Sequence, residues 1–344
     1  MTTSIIATIG PASQKEDIML SMAKKGMNIA RINFSHETIE IQENRIDTAR
    51  RINEKHNMNI KILVDLRGPE VRISNVEKAV KFKKGDILYL SRRAGPNRIK
   101  LSNGTMLRKL VVGSTILIDD GNCEIKIVEK GLDGVKCEVL EDCVIKPRKS
   151  VAAEFVTSEE GAITEFDKEI IKLAVEKKVD YLALSHVKSA KDVEEARQLL
   201  GSSMIKIISK IENHEAVENI EAIVDAGDGI MIARGDLGVN VPIEYIPLIQ
   251  EQIVKLCNRK KKFCIVATQM MESMLENKRP SRADVNDVYT AVVEGADAVM
   301  LSGETTLGKF PIDVVTYMKK VTKVAQDRDK IDLKKLHKER HPDC

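Results

Sequence analysis

The sequence predicts an α/β fold, a (β/α)8 TIM barrel with a small β-barrel lid domain inserted after the third strand. Three observations predict it. Short apolar runs alternate with amphipathic stretches along the chain, giving about eight strand–helix units, and outside one interruption these fill roughly 250 residues, the count and size of a barrel. The interruption, from about residue 71 to 151, changes character. Its segments are short and alternating, separated by Lys83-Lys84-Gly85-Asp86, Asn103-Gly104, Asp119-Asp120-Gly121-Asn122 and Asp133-Gly134, which are the tight turns of an all-β unit. An open doubly wound sheet is the competing architecture, and the lack of a GxGxxG after the first strand counts against it.

The elements follow in order. Residues 4–9 are already a strand, and Gly10-Pro11-Ala12-Ser13 turns into a helix with Ser13 and Glu16 in capping-box spacing. Residues 27–34 form a second strand, followed by a long amphipathic helix to about His56, and 60–66 form a third. After the insert, Thr164-Glu165-Phe166-Asp167 starts a helix to Lys178. Strands are expected at 179–184, 204–211, 229–233, 263–268 and 296–301, with helices at 190–200, 214–225, 244–261, 282–294 and 311–327. These strand runs are rich in Val, Ile and Met, as buried parallel strands are. The barrel domain is therefore discontinuous, 1–70 with 152–344, and the lid is 71–151.

Composition narrows the function classes. The chain of 344 residues is 43% hydrophobic and 31% charged, which fits a folded soluble enzyme and excludes disorder. Aromatics are 3% with no Trp, so base-stacking surfaces are not expected. A net charge of +3, from 55 basic and 52 acidic residues, is too balanced for a nucleic-acid partner. The basic runs Arg259-Lys260-Lys261-Lys262 and Lys334-Lys335-Leu336-His337-Lys338 read as a solvated helix end and a C-terminal tail. No apolar run approaches membrane-spanning length and no leader pattern opens the chain. The six cysteines, Cys123, Cys137, Cys143, Cys257, Cys264 and Cys344, form no CxxC pair. Zinc is not expected, and reduced thiols in the cytoplasm are.

The chemistry is carried by strand ends. In Ile207-Ile208-Ser209-Lys210-Ile211-Glu212-Asn213, strand alternation points Lys210 and Glu212 the same way. Ala233-Arg234-Gly235-Asp236-Leu237-Gly238 adds a carboxylate on a Gly-flanked turn. A lysine beside a carboxylate, with a second carboxylate nearby, suits a divalent metal and an anionic substrate. A solvated salt bridge is the plainer reading of one such strand end. The event recurs, however: Arg31 and Asn33, Asp65 and Arg67, Ser185 and Lys188, Thr268 and Gln269, and Ser302 and Glu304 all sit where a barrel places its active site.

Seven motifs then carry a resemblance. Ile6-Ala7-Thr8-Ile9-Gly10-Pro11-Ala12-Ser13, Ala30-Arg31-Ile32-Asn33-Phe34-Ser35-His36, Asp65-Leu66-Arg67-Gly68-Pro69-Glu70-Val71-Arg72, Ser209-Lys210-Ile211-Glu212-Asn213, Ala233-Arg234-Gly235-Asp236-Leu237-Gly238, Ala267-Thr268-Gln269-Met270-Met271-Glu272-Ser273-Met274 and Leu301-Ser302-Gly303-Glu304-Thr305 resemble the pyruvate kinase family in order and spacing over nearly the whole chain.

The resemblance implies phosphoryl transfer between phosphoenolpyruvate and ADP, giving pyruvate and ATP. It implies Glu212 and Asp236 as ligands of Mg2+ or Mn2+, Lys210 and Arg31 on the transferring phosphoryl, and the backbone of Gly235 and Asp236 on the substrate carboxylate. Thr268 is placed beside the enol carbon, with Ser302 and Glu304 as a candidate proton relay. It implies K+ held by Asn33, Ser35, Asp65 and the backbone of Leu66. Glu70 matches the motif form that goes with K+ dependence. Asn33, His36, Arg72 and Lys149 match nucleotide-contacting positions. A homo-oligomer is expected.

The chain also departs from the family. Leu66 stands where Thr is usual, so only its carbonyl remains as a ligand. His186 and Lys188 replace a usual Phe and Arg, and His186 reads either as a packing histidine or as a new acid or base. Lys146-Pro147-Arg148-Lys149-Ser150-Val151-Ala152-Ala153 lacks the Gly after the lysine and the Pro-Gly that commonly follow. The chain ends soon after the eighth helix, so the C-terminal effector domain is expected to be absent and sugar-phosphate activation with it. A lyase or aldolase acting on a metal-bound enolate in a related barrel is the second enzyme reading. A degenerate sensor or scaffold is the third, disfavoured by intact Lys210, Glu212, Asp236, Thr268 and Arg31.

Overall fold

A computed structural model describes residues 2–332 apart from 94, 96, 97, 120, 158 and 159. Asp120, the basic run 334–338 and Cys344, all singled out above, lie outside the described residues. Strands β1 (Ser4–Thr8), β2 (Ile29–Asn33) and β3 (Lys61–Asp65) open the chain, each ending in a polar residue. Eight short strands come next: β4 (Val80–Phe82), β5 (Ile87–Ser91), β6 (Arg98–Lys100), β7 (Thr115–Ile118), β8 (Cys123–Lys130), β9 (Gly134–Val139), β10 (Cys143–Ile145) and β11 (Val151–Ala153). Then β12 (Tyr181–Leu184), β13 (Lys206–Ile211), β14 (Gly229–Ala233), β15 (Phe263–Ala267) and β16 (Ala298–Leu301) complete the set.

The long-range pattern is the predicted one. Strands β1, β16, β15, β14, β13, β12, β3 and β2 close, in that order, into a barrel. Strand β1 runs parallel to β16 and β2, and β13 parallel to β12 and β14. All five residues of β14 are buried, which is why these strands read as unbroken apolar runs. Gly229 is required by close packing, since a Cβ there would lie 2.6 Å from the Phe263 carbonyl oxygen.

Helices α1 (Glu16–Lys25), α2 (Ile39–His56), α3 (Glu165–Glu176), α4 (Ala190–Leu200), α5 (His214–Glu218), α6 (Ile220–Ala226), α7 (Arg234–Asn240), α8 (Ile246–Lys260), α9 (Arg282–Glu294), α10 (Gly303–Thr306) and α11 (Pro311–Gln326) alternate with the barrel strands. Two helices differ from expectation. Helix α1 starts at Glu16 with Lys15 at its N-cap and no side-chain cap, because the Ser13 hydroxyl is taken by the Gly10 amide. The helix expected at 214–225 is two, broken at Asn219, whose side-chain amide donates to the Glu215 carbonyl. No helix among the described residues is long and apolar enough to cross a membrane.

The insert is mostly β, with a 3-10 turn at Thr105–Arg108, and among the described residues its hydrogen bonds do not close a barrel. Six strands form one sheet in the order β11, β7, β8, β9, β5, β6, and β10 pairs separately with β4. Strand β8 shifts register between Ile127 and Glu129, a bulge that bends the sheet over its own apolar core of Leu90, Ile116, Ile125 and Val139. The hairpin expected at Asp133-Gly134 joins β8 to β9, with Gly134 already in the strand. There a Cβ would sit 2.0 Å from the Leu90 carbonyl oxygen, so the residue answers to strand packing as well as to the turn.

Chain entry to and exit from this region are adjacent. The Val151 amide donates to the Val71 carbonyl at 2.8 Å, and Arg72 bridges Ser150 in an antiparallel pair. The left-handed residue at the return is Arg148, at φ 59°, not Ser150. Ser150 therefore makes no conformational demand that glycine would have to meet.

The cysteines correct one expectation. Cys123 and Cys143, read above as reduced, form a disulfide with Cα atoms 5.3 Å apart. They start β8 and β10, so the bridge fastens the two sheets of the insert to each other. Cys137, Cys257 and Cys264 are buried free thiols. Burial pushes the Cys137 thiol up to about 12, which leaves it unreactive.

The chain divides into two compact units. One comprises Met1–Arg31, Asn44–Ile62 and Ile265–Cys344, where α1 and α9 pack on α11 and Met19, Met22, Val288 and Met318 are buried. The other comprises Ile32–Glu43 and Leu63–Cys264, and includes the insert.

Candidate active site

In the second unit, the end of β13 sets the charge. The Lys210 ammonium lies 2.7 Å from Glu212 Oε1, 3.2 Å from Asp65 Oδ1 and 2.8 Å from Ser185 Oγ. The ammonium and both carboxylates are buried, so each depends on the others for its charge. Ser185 passes the chain of contacts on, donating to the Leu66 carbonyl at 2.7 Å. Glu212 Oε2 accepts from the His186 amide at 2.7 Å, and His186 Nδ1 stands 3.6 Å from the same oxygen. Burial pushes the Glu212 carboxyl up. The charges of Lys210 and His186 and the hydrogen bonds from Lys210 and the His186 amide outweigh it and hold the group below its ordinary value. His186, read above as packing or as an acid or base, is thus a neighbour of the expected metal carboxylate.

Glu212 and Asp236 line one cleft, together with Glu70, His186, Lys188 and Asn240. Asp236 lies in the first turn of α7, beside Gly235. First-turn amides have no acceptor within their own helix. At the last residue of α7, Asn240 Nδ2 donates to the Ala153 and Val156 carbonyls at 3.3 and 3.1 Å. Among the described residues no three His, Cys, Asp or Glu side chains gather as a complete metal cage. Two carboxylates on one cleft suit Mg2+, which keeps water and substrate oxygens as its other ligands.

The residues after Asn33, the last of β2, form a turn. Asn33 Oδ1 accepts from the Ser35 amide at 3.0 Å, while α2 begins only at Ile39. Gln42 Nε2 donates to the carbonyls of Asn33 and His36 at 2.7 and 2.8 Å, fixing the turn. The Phe34 amide donates to the Asp65 carbonyl at 3.0 Å, which brings this turn against β3. Asn33, Ser35, Asp65 and the Leu66 carbonyl are all oxygen donors, a set that suits a hard monovalent ion. The Leu66 side chain is buried and adds no oxygen. Asp167, which sequence reasoning saw only as part of a helix start, caps α3 and accepts from the Arg67 and Gly68 amides at 2.9 and 3.2 Å. It holds the loop that follows Asp65.

Two of the expected nucleotide contacts, Arg72 and Lys149, are engaged with acids. Arg72 Nη2 meets Glu70 at 2.6 Å, and Lys149 meets Asp119 at 2.6 Å. Lys188 Nζ donates to the Glu160 carbonyl at 2.6 Å.

In the first unit, Arg31 is buried and its Nη1 donates to Thr8 Oγ1 at 2.9 Å, while Thr8 donates to the Leu301 carbonyl at 2.8 Å. Thr8 was not foreseen as a partner, since nothing local marks it. Glu304 is almost fully buried, and its two oxygens accept from the Met271 and Ser302 amides at 3.1 and 2.7 Å. Ser302 Oγ is buried with no hydrogen-bond partner among the described residues. Thr268 and Gln269 are both left-handed, at φ 68° and 54°. A β-branched residue is rarely found there, and such strain gathers at functional sites.

A family model described as the barrel domain of pyruvate kinase matches residues 1–315. The chain belongs to the pyruvate kinase family. A pyruvate kinase of Clostridium perfringens is 39% identical over 332 residues, covering 94% of this chain and 70% of that one. One from Geobacillus stearothermophilus is 40% identical over 328 residues, 93% of this chain and 56% of its own length. One from Borreliella burgdorferi is 38% identical over 338 residues, 97% and 70%. The chain thus spans between about half and about two thirds of these family members, and among its described residues it has the family's closed barrel and an inserted β region.

Proposed function

We propose that this chain transfers a phosphoryl group from phosphoenolpyruvate to ADP, giving pyruvate and ATP in the last step of glycolysis. The observation that carries the reading is the buried Lys210–Glu212 pair at the end of β13, beside the cleft that Asp236 also lines. Phosphoryl transfer needs positioning and charge neutralisation more than covalent chemistry. A divalent ion, Mg2+ or Mn2+, held by Glu212 and Asp236 would neutralise phosphate charge. Lys210, a compact cation with paired neighbours, is suited to stabilise charge on the transferring group and not to act as a base. Arg31, oriented by Thr8, binds phosphate through its planar fork. The backbone of Gly235 and Asp236 binds the substrate carboxylate.

Thr268 faces the enol carbon that takes the proton, with Ser302 and Glu304 behind it as the relay. In this relay Glu304 orients the turn through its two backbone contacts, and the unpartnered Ser302 hydroxyl moves the proton. Asn33, His36, Arg72 and Lys149 bind nucleotide once Arg72 and Lys149 release their acids. K+ is held by Asn33, Ser35, Asp65 and the Leu66 carbonyl. Residues 71–151 act as the lid over a barrel formed by 1–70 and 152–344, in a homo-oligomer.

A coupled assay of pyruvate formation from phosphoenolpyruvate and ADP with Mg2+ tests the reading. ADP-dependent pyruvate is expected, and its absence sinks the proposal. Equal rates with and without K+ would remove the monovalent site alone.

A further inference from the structure

We propose that His186 supplies a nitrogen ligand to the divalent ion held by Glu212, so that this site favours borderline first-row ions such as Co2+ over Mg2+. The inference rests on the metal-binding reading of Glu212 and deepens it. The first ground is spacing. At 3.6 Å, His186 Nδ1 is too far from Glu212 Oε2 for a hydrogen bond. Two ligand atoms each about 2.1 Å from one ion, at a tetrahedral angle, stand about 3.4 Å apart. The observed separation leaves room for one ion between the two atoms.

The second ground is orientation. His186 has φ 55°, a left-handed conformation that His adopts more readily than most residues. That conformation sends its amide to Glu212 Oε2 at 2.7 Å, and His186 lines the same cleft as Glu212 and Asp236. Backbone and ring of one residue therefore address one carboxylate. Gly68 makes the room: a Cβ there would lie 2.9 Å from His186 Cδ2. The ring is about one third exposed, so an ion reaches it without unfolding.

The third ground is chemistry. With Glu212 and Asp236 alone the protein offers only oxygen, the preference of Mg2+. An imidazole nitrogen raises affinity for Co2+, Ni2+ and Zn2+ and does little for Mg2+. A hydrocarbon side chain such as Phe at this position would offer no donor at all, so the imidazole changes the ligand set and not only the packing.

Co2+ titration of the full chain, followed by proton NMR, reads the ligand directly. The wild-type protein is expected to show a paramagnetically shifted, exchangeable imidazole N–H signal that is lost in His186→Phe. The Co2+ dissociation constant should weaken about tenfold or more in the variant, while the Mg2+ constant, measured by competition, moves less than about threefold. His186→Asn, which keeps the left-handed backbone accessible, should match His186→Phe and guards against a folding defect. No shifted N–H in the wild type, or equal weakening of both ions, overturns the inference and leaves His186 as a packing or charge partner. Pyruvate formation with Mg2+ separates the two readings. Turnover with an unchanged ion preference defeats this inference alone, and Co2+ bound through His186 without turnover defeats phosphoryl transfer alone.

Discussion

The side-chain oxygen of Asn240 accepts from the amide of His214 at 2.9 Å, and so ties the helix that carries Asp236 to the one that begins just after Glu212. The same side chain donates to the carbonyls of Ala153 and Val156, where the insert returns to the barrel. One buried amide thus links the segments of both expected metal carboxylates to the point where the insert ends. Asn240→Ala should destabilise the protein by about 2–3 kcal/mol, because several buried partners lose their hydrogen bonds. It should also raise the KM for nucleotide more than it lowers kcat. Urea unfolding and steady-state kinetics check both, and an unchanged KM would show that the linkage is structural only.

Lys210→Met should lower pyruvate formation by about a thousandfold, the scale of removing a charge aimed at a transition state. It should also destabilise the fold by about 3–5 kcal/mol, since Glu212 and Asp65 remain buried without their cation. A variant with near-normal turnover would refute the role given to the lysine.

Glu212 predicts an acid limb. Its carboxyl is held below the ordinary 4.5 in the folded chain. The ionised group therefore stabilises the fold above that value, and the contribution is lost as pH falls through the lower folded value. Glu212→Gln should unfold at lower urea than the wild type at pH 7, and the gap should close on acidification. A gap that stays constant from pH 7 to pH 3 would contradict the assignment.

Glu272 should behave in the opposite sense. Partial desolvation of this surface carboxyl and the neighbouring carboxylates of Glu304 and Asp284 push it up. Its charged form opposes folding at neutral pH, and protonation relieves this as pH falls through the raised value. Glu272→Gln should raise the melting temperature at pH 7, with the gain shrinking in acid. Differential scanning calorimetry at two pH values decides it.

The Cys123–Cys143 bridge spans 20 residues, and on the chain-entropy account a loop of that length is worth about 3 kcal/mol. Thiol titration of the denatured, unreduced protein should find two fewer thiols than after reduction. Reductant should lower the unfolding midpoint of the wild type and leave the Cys123→Ser/Cys143→Ser double variant unchanged. Full thiol titration without reductant would refute the pairing.

Much of this was legible in the residues. The period-2 pattern around Lys210 and Glu212 placed both on one side of a strand, and the observed 2.7 Å contact follows from that alternation. The alternation of strands and helices gave the barrel. What escaped depends on distance along the chain. The contacts of Arg31 with Thr8, of Asp167 with the Arg67 and Gly68 amides, and of Asn240 with Ala153 join residues 23 to 100 positions apart, and no local pattern announces them. The Ser13 cap failed because a nearer amide, that of Gly10, claimed the hydroxyl. The bridge between Cys123 and Cys143 required knowing that β8 and β10 lie side by side. Asp167 alone left a trace, in the Thr164-to-Asp167 spacing, though that spacing speaks of the helix and not of the loop it also holds.

The antiparallel contact of Val71 with Val151 has a consequence for descent. Because the chain leaves and returns at neighbouring positions, the eighty residues or so between them impose no threading on β3 or α3. A single insertion or deletion event is enough to gain, exchange or discard such a module, and the parent scaffold keeps its connectivity throughout. The locus is a socket: what is inserted there can change in length without rerouting the strands on either side.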